Sequence, residues 1–242
     1  MNDFFVALGM AASMFTVLPL PGARWDERLR PLSTALLPVV GLGIGLVWLA
    51  IAALARLLPV YIGAAAVAVA PWLLTGFIHL DGFLDASDAL LSWRPREERQ
   101  RILKDVHVGA FAAVSLALLA MFQFAAAMEL KHIGALVLLP VLSRCGSARC
   151  ALTMRPLGQS EYANMEGTGS IARILDGAAA LSVVILVLLC GWAGLAVGIV
   201  TLAGYAAAIV ISTHALGGFS GDLAGHALTV SELCGLIALA IF

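Results

Sequence analysis

An acidic stretch from His79 to Asp88 carries the side chains best suited to chemistry. Its aspartates, Asp81, Asp85 and Asp88, stand at positions i, i+4 and i+7, which fall on one face of a helix. Carboxylates at that spacing repel one another unless a cation lies among them. Hard oxygen ligands suit Mg²⁺ or Mn²⁺, which also bind substrate phosphate oxygens. The pattern predicts a divalent-metal phosphotransfer site. A solvated helix end, or a proton or sodium site in a carrier, remains open.

Two further polar segments could bind phosphate. In the first, Lys104 and His107 are donors for phosphate oxygens, while Asp105 is a further partner for a metal ion or a hydroxyl group. The second is the glycine-rich stretch 217–226, which precedes the last apolar run. Glycine-rich backbone that opens a helix can receive an anion. A flexible turn between two helices explains the same pattern equally well.

Arg144 is a basic residue inside a largely apolar stretch. Its guanidinium could hold a substrate phosphate at the membrane face. Pairing with an acid, or snorkelling to the interface, is the more usual fate of such a residue.

The elements that must position these residues are membrane helices. The 242 residues are 62% hydrophobic and 12% charged, with a mean hydropathy of +1.00, whereas soluble domains carry about 25% charged residues. A chain of this composition satisfies its backbone groups inside helices within lipid. We therefore expect an all-α polytopic membrane bundle that forms a single domain over residues 1–242. The net charge of −1 gives no indication of nucleic-acid binding.

Apolar runs of about 20 residues predict about seven spans, with a range of six to eight. They are Ser33–Leu57, Val60–Leu80, Ala110–Leu130, Ile133–Thr153, Ile174–Gly191, Trp192–Thr213 and His226–Phe242. A shorter apolar segment, Phe4–Leu18, could span the membrane or lie in the interface. The charged stretch Arg94–Lys104 predicts a short amphipathic helix on the membrane surface.

The connections between these spans are of two kinds. Threading the spans alternately puts the four long polar loops on one side, with only short turns on the other. The loops are Pro19–Leu32, Asp81–Gly109, Met154–Arg173 and His214–Gly225. Most Lys and Arg residues lie in them, and such loops are usually cytoplasmic. One working face suits an enzyme with cytosolic substrates better than a transporter.

Taken together, the motifs resemble the cobalamin synthase family, also called adenosylcobinamide-GDP ribazoletransferase. The residues that carry the resemblance are His79-Leu80-Asp81-Gly82-x-x-Asp85-x-x-Asp88, Lys104-Asp105-x-His107-Val108-Gly109-x-Phe111 and Gly221-Asp222-x-x-Gly225, with Phe15-Thr16-x-Leu18-Pro19 and Pro38-Val39-Val40-Gly41 earlier in the chain. The chain departs from the commoner pattern at Val106-His107, where many members have Ser-Arg, and at Ala89, where glycine is usual.

The resemblance implies that α-ribazole, or its 5′-phosphate, attacks adenosylcobinamide-GDP and releases GMP at the bacterial inner membrane, with Mg²⁺ as cofactor. It implies metal-binding roles for the three aspartates of the first motif. Asp105 or His107 would orient or deprotonate the attacking hydroxyl, and Lys104 would assist. Substrate-binding roles fall to four residues: His79, Arg144, Gly221 and Asp222. The alternatives are a CDP-alcohol phosphatidyltransferase-like enzyme and a cation-coupled carrier. Homo-oligomerisation is left open.

Overall fold

The computed structural model describes residues 2–17, 24–158 and 169–242, and every regular element in them is helical. The α-helices are α1 (Asp3–Phe15), α2 (Arg30–Ala35), α3 (Leu37–Ala55), α4 (Val60–Leu74), α5 (Ile78–Leu91), α6 (Arg96–Ile102), α7 (Ala110–Met128), α8 (Leu139–Thr153), α9 (Gly169–Cys190), α10 (Trp192–Leu216) and α11 (Gly221–Ile241). Two 3₁₀ helices, Glu27–Leu29 and Ile133–Leu138, precede α2 and α8. The predicted all-α fold is confirmed.

Within the described residues, six continuous helical segments are long and apolar enough to cross a membrane, and a bent pair of helices makes a seventh candidate. The six are α3, α7, α8 with its 3₁₀ turn, α9, α10 and α11, and the bent pair is α4 with α5. The 13-residue α1 is apolar but shorter than a usual span. The predicted multi-pass bundle of about seven spans is therefore confirmed.

The predicted span Val60–Leu80 is wrong beyond Leu74, where α4 ends. Gly76 and Phe77 both adopt left-handed backbone conformations, with φ of 60° and 64°. The Gly76 and Phe77 N–H groups donate to the carbonyls of Leu73 and Trp72, at 3.2 and 2.9 Å, a hydrogen-bond pattern that closes a helix end. Helix α5 then leaves at 91° to α4. The helix that carries the acidic stretch therefore does not continue the span before it.

The last span begins earlier than its hydropathy predicts. Helix α11 starts at Gly221 rather than at His226, and the Ser220 hydroxyl caps it by accepting a hydrogen bond from the Leu223 N–H at 3.4 Å. Asp222 consequently lies in the first helical turn. The predicted surface helix also exists, as α6, with its charged residues outside the core.

The long connections meet at one end of the bundle, here called the loop face, which comprises residues 24–36, 92–109, 154–158 and 217–220. There Gln100 of α6 donates to the carbonyl of Leu216 at 2.6 Å, and the Leu157 N–H donates to the carbonyl of Phe219 at 2.7 Å. These bonds join the connections that follow α5, α8 and α10. The part of the loops at 18–23 and 159–168 lies outside the described residues, as does the Leu18-Pro19 pair.

The short turns meet at the opposite end, here called the turn face, which comprises residues 56–59, 129–132 and 191. Lys131 donates to the carbonyl of Ile241 at 3.4 Å, and the rings of Trp192 and Phe242 meet edge to face at 5.3 Å. The two ends of the bundle therefore differ in construction, as the spacing of the spans predicts.

Candidate active site at the loop face

Helices α5 and α11 touch through glycines, and this contact assembles the site. A Cβ atom on Gly82 would lie 2.7 Å from the carbonyl oxygen of Asp222, and one on Gly225 would lie 3.2 Å from the carbonyl oxygen of His79. The first distance is too short for any side chain. Gly82 therefore allows the α11 backbone to approach α5 directly, which brings Asp222 beside the acidic face.

Three carboxylates gather where the two helices meet. Asp85 is repelled electrostatically by both Asp81 and Asp222, and Asp81 also repels Asp222. Asp81 is exposed and Asp85 is partly buried. Within residues 2–17, 24–158 and 169–242, no basic side chain or hydrogen-bond donor pairs with any of these three carboxylates. Uncompensated acids at a membrane face have the electrostatic character of a cation site.

Asp88 has a different environment from the other predicted metal ligands. Its side chain is buried, and its two oxygens accept hydrogen bonds from the backbone N–H groups of Gly109 at 2.6 Å and Ala112 at 2.9 Å. The N–H groups at the start of a helix have no partner within that helix, so Asp88 supplies the partners that the start of α7 lacks. Gly109 has no side chain with which to cap its own helix. A Cβ atom on Gly109 would lie 2.5 Å from Asp88 Oδ1. Asp88 therefore caps α7, a function that the acidic spacing did not predict.

The oxygen atoms around Asp81 and Asp85 decide whether the predicted site could bind a metal ion. In the described part of the chain, no three His, Cys, Asp or Glu side chains are close enough to hold one ion as they stand. Asp81 and Asp85 nevertheless provide unpaired hard oxygen ligands on adjacent turns. Mg²⁺ is typically held by one or two protein carboxylates, with water and substrate phosphates completing its octahedron. The donor chemistry at Asp81 and Asp85 therefore fits such an ion.

A cavity of about 160 Å³ lies beside these acids and is bordered by His79, Asp81, Gly221 and Asp222 among others. The structure thus brings together three of the predicted substrate-binding residues and one predicted metal ligand. The His79 ring stacks on Phe15, with centroids 5.7 Å apart, and its Nε2 atom is buried without a hydrogen-bond partner among the residues that the structure describes. We call this space the inner cavity.

A second, more open cavity of about 500 Å³ lies at the other end of α5, and Asp88, Arg94, Asp105 and His107 border it. We call it the outer cavity. His107 Nδ1 and Asp105 Oδ1 are 2.7 Å apart, and this hydrogen bond lowers the pKa of the Asp105 carboxyl below its usual value. Lys104 is exposed beside the pair. The predicted catalytic residues therefore lie by the outer cavity rather than against Asp81.

Arg144 is not at the loop face, contrary to its predicted contact with substrate phosphate. Its side chain is 2% exposed, and its guanidinium binds Glu232 of α11 at 2.8 Å. The Ser143 hydroxyl donates to the same carboxylate at 2.9 Å. The usual fate of a buried arginine, pairing with an acid, is the one observed. Sequence reasoning missed Glu232, although an acid in the middle of the last apolar run was the available signal.

Comparison with known proteins identifies the family. The family described as cobalamin-5-phosphate synthase matches residues 7–240. The chain belongs to that family. Among its curated relatives, a Clostridium perfringens protein is 38% identical over 256 residues, one from Clostridium botulinum is 33% identical over 251, and one from Pseudomonas savastanoi is 34% identical over 251. Each alignment covers 100% of both chains, and each relative is named adenosylcobinamide-GDP ribazoletransferase.

The cobalamin-5-phosphate synthase match spans the whole bundle, including both helices that form the acidic contact. The resemblance predicted from the sequence motifs is therefore confirmed, whereas neither the phosphatidyltransferase nor the carrier alternative is supported by these relatives. No solved structure matches the chain.

Proposed function

We propose that this protein is an adenosylcobinamide-GDP ribazoletransferase. The observation that carries the proposal is the full-length similarity to relatives of that name, joined to an uncompensated acidic site on the loop face. In the proposed reaction, a ribose hydroxyl oxygen of α-ribazole, or of its 5′-phosphate, forms a bond to the cobinamide-linked phosphorus. The bond from that phosphorus to the oxygen bridging the two phosphates breaks, and GMP leaves with that oxygen.

Asp222 is the residue that we propose accepts the proton of the attacking hydroxyl. It lies on α11, opposite the acids of α5, and borders the inner cavity. No described side chain pairs with its carboxylate, so an oxygen is free to receive a hydrogen bond. The proton passes from Asp222 to water after the new phosphodiester has formed. A carboxylate held within reach of the hydroxyl can act as a general base.

Asp81 and Asp85 are the residues that we propose hold Mg²⁺. When bound, the ion would neutralise charge on the diphosphate and on the departing phosphate. The two carboxylates stand one helical turn apart on α5, with the α11 backbone packed against Gly82. Transfer at a diphosphate depends mainly on positioning and charge neutralisation. We therefore propose that the close contact between α5 and α11, which sets the positions of these acids, is needed for activity.

The loop face is proposed to be the cytoplasmic face of a bacterial inner membrane. Basic residues border it in the described loops and surface helices, namely Arg24, Arg28, Arg30, Arg94, Arg96, Arg99, Arg101, Lys104 and Arg155. The turn face has Arg56 and Lys131. Such a bias sets the orientation of membrane helices, and it supports an active site that receives its substrates from the cytosol.

The test is release of GMP from adenosylcobinamide-GDP by purified protein when α-ribazole is added, with and without Mg²⁺. Asp81→Asn and Asp85→Asn should each abolish release while the protein still inserts in the membrane. Glu129→Gln is the matched control, because Glu129 is an exposed acid on the turn face, and it should retain full activity. Full activity in both aspartate variants would overturn the metal site. Release of CMP from a CDP-activated lipid, with no GMP release, would overturn the proposed reaction.

A further inference from the structure

The inner cavity has two chemically distinct walls. One wall is apolar and is formed by Met14, Phe15, Trp25 and Leu37. The other wall carries hydroxyl groups and leads to the acids that border the same space. A cavity that combines an apolar wall with a few polar groups has the usual composition of a small-molecule site.

The hydroxyl wall is formed by Ser33 and Thr34 of α2 and Ser147 of α8. Each residue is 8% exposed, and none of the three hydroxyls forms a hydrogen bond with any residue that the structure describes. Other hydroxyls of this bundle bond to carbonyls of their own helix, as Ser182 does to Ala178 at 2.8 Å. The three oxygens are not sealed from solvent as His79 Nε2 is; they open onto the cavity, where they are available to a ligand with several polar atoms.

We infer that the inner cavity binds the acceptor nucleoside, an aromatic base attached to a ribose. This inference rests on the proposed function and assigns one of its two substrates to the inner cavity. The base lies against the apolar wall, where Phe15 and Trp25 offer aromatic surfaces. The ribose hydroxyls bond to the serine and threonine hydroxyls. The attacking hydroxyl then points toward Asp81 and Asp222, which border the same cavity.

The size of the inner cavity excludes the corrinoid part of the donor. Its volume of about 160 Å³ is below the 300 Å³ or more of typical drug-sized sites, so it accommodates a bicyclic base but not a macrocycle. The outer cavity, at about 500 Å³, is larger and more open. The donor is therefore assigned to the outer cavity, which Asp88 and His107 border.

The apolar wall also discriminates between the two nucleosides of the reaction. Guanine presents several hydrogen-bond donors and acceptors along its edge, and burying them without partners is costly. Met14, Phe15 and Leu37 offer no side-chain partner, and the indole N–H of Trp25 donates to Glu27 at 2.5 Å. Arg30, whose guanidinium carbon lies 5.6 Å from the Trp25 ring centroid, provides donors at this wall but no acceptor. A benzimidazole-type base has few such groups. The wall therefore suits the acceptor base better than the guanosine of the donor.

The placement changes the role of the Asp105–His107 pair. Since the attacking hydroxyl would come from the inner cavity, its proton leaves toward Asp222 rather than toward His107. The pair borders the outer cavity, where it would contact a part of the donor other than the diphosphate, which is placed at Asp81 and Asp85.

The experiment is steady-state kinetics with the full chain, varying α-ribazole and adenosylcobinamide-GDP separately. Ser33→Ala and Ser147→Ala should each raise the KM for α-ribazole about three- to tenfold, the usual effect of one lost hydrogen bond, and leave the KM for adenosylcobinamide-GDP within twofold. Ser182→Ala is the matched control, since its hydroxyl bonds within α9, and it should leave both KM values unchanged. Titration of α-ribazole alone should also change tryptophan fluorescence, and Trp25→Phe should abolish that change.

Three results would overturn the inference. A rise in the KM for adenosylcobinamide-GDP alone would assign the inner cavity to guanosine. Unchanged KM values for both substrates in Ser33→Ala and Ser147→Ala would show that the cavity takes neither. Absence of any fluorescence change with α-ribazole would exclude the aromatic wall from binding. These results differ from failure of the proposed function, in which the unmodified protein releases no GMP at all.

Discussion

Replacing Asp88 with asparagine tests whether this acid stabilises the fold by capping α7 or binds a metal ion. The amide keeps one oxygen to accept a hydrogen bond, but it puts an amino group opposite the other backbone N–H of α7. One charge-assisted hydrogen bond is lost and a buried donor is left unpaired, and together these changes cost about 2–3 kcal/mol. Because Asp88 is 8% exposed, solvent does little to reduce that cost. In a chain of this length the loss corresponds to a fall in Tm of roughly 4–12 °C.

The assay is thermal unfolding of the purified protein in detergent, followed in parallel with GMP release at a temperature where the variant remains folded. Asp81→Asn is the comparison, because Asp81 is exposed and its carboxylate accepts no hydrogen bond in the described part of the chain. We expect Asp81→Asn to keep its Tm within a few degrees and to lose activity. An Asp88→Asn protein with unchanged Tm, and with activity restored only by high Mg²⁺, would refute the capping argument and return Asp88 to the metal site.

Three other predictions concern packing, the buried ion pair and pH. Gly82→Ala should lower activity more than tenfold by forcing α5 away from the α11 backbone, whereas Gly43→Ala, at an open position, should have little effect; equal activity would show that the helix contact is not needed. Glu232→Leu should destabilise the protein by about 3–5 kcal/mol by leaving its buried arginine partner unpaired, as measured by chemical unfolding; an unchanged midpoint would contradict this. Because the hydrogen bond with His107 lowers the pKa of Asp105, the stabilising effect of that bond should hold at neutral pH and decline only as the pH falls through the lowered pKa. His107→Ala should raise the Asp105 pKa toward its usual value, as followed by NMR, and no rise would argue against the bond.

The spacing of the aspartates predicted their shared helical face, but the loop predicted from Asp81 to Gly109 is wrong as far as Leu91, where α5 ends. The spacing of Asp81 and Asp85 depends on the helical repeat alone, so the sequence determines their shared face. The partner of Asp88 is the start of α7, which lies 21 residues further along the chain. Nothing in the spacing of the aspartates indicates that another helix end comes to rest there. Gly109 was the available signal, because a residue without a side chain allows another group to approach the backbone closely. The sequence did not reveal that this group is the Asp88 carboxylate.

Hydropathy located the spans but missed the break between α4 and α5. The segment remains apolar through Leu74, Phe77 and Ile78, so a window average does not register a turn. The turn depends instead on left-handed backbone at Gly76, which glycine adopts readily, and at Phe77, which adopts it only at a cost. Asp222 was similarly predicted as a member of a loop, because the glycines around it resemble a turn, whereas the Ser220 cap starts the helix earlier.

The difference between the two ends of the bundle also bears on how the chain enters a membrane. Helices α3 and α4, α7 and α8, and α9 and α10 are each joined through the turn face by the short segments 56–59, 129–132 and 191. Each pair can therefore insert as a helical hairpin. The charges that cross the hydrocarbon, a costly step for ions, are then few: Arg56 in the first turn, and Glu129 and Lys131 in the second. With the loop face on the cytoplasmic side, as proposed, the acids and most of the arginines would remain on the side where the ribosome delivers them. Assembly of the proposed catalytic surface would then require no polar loop to be translocated.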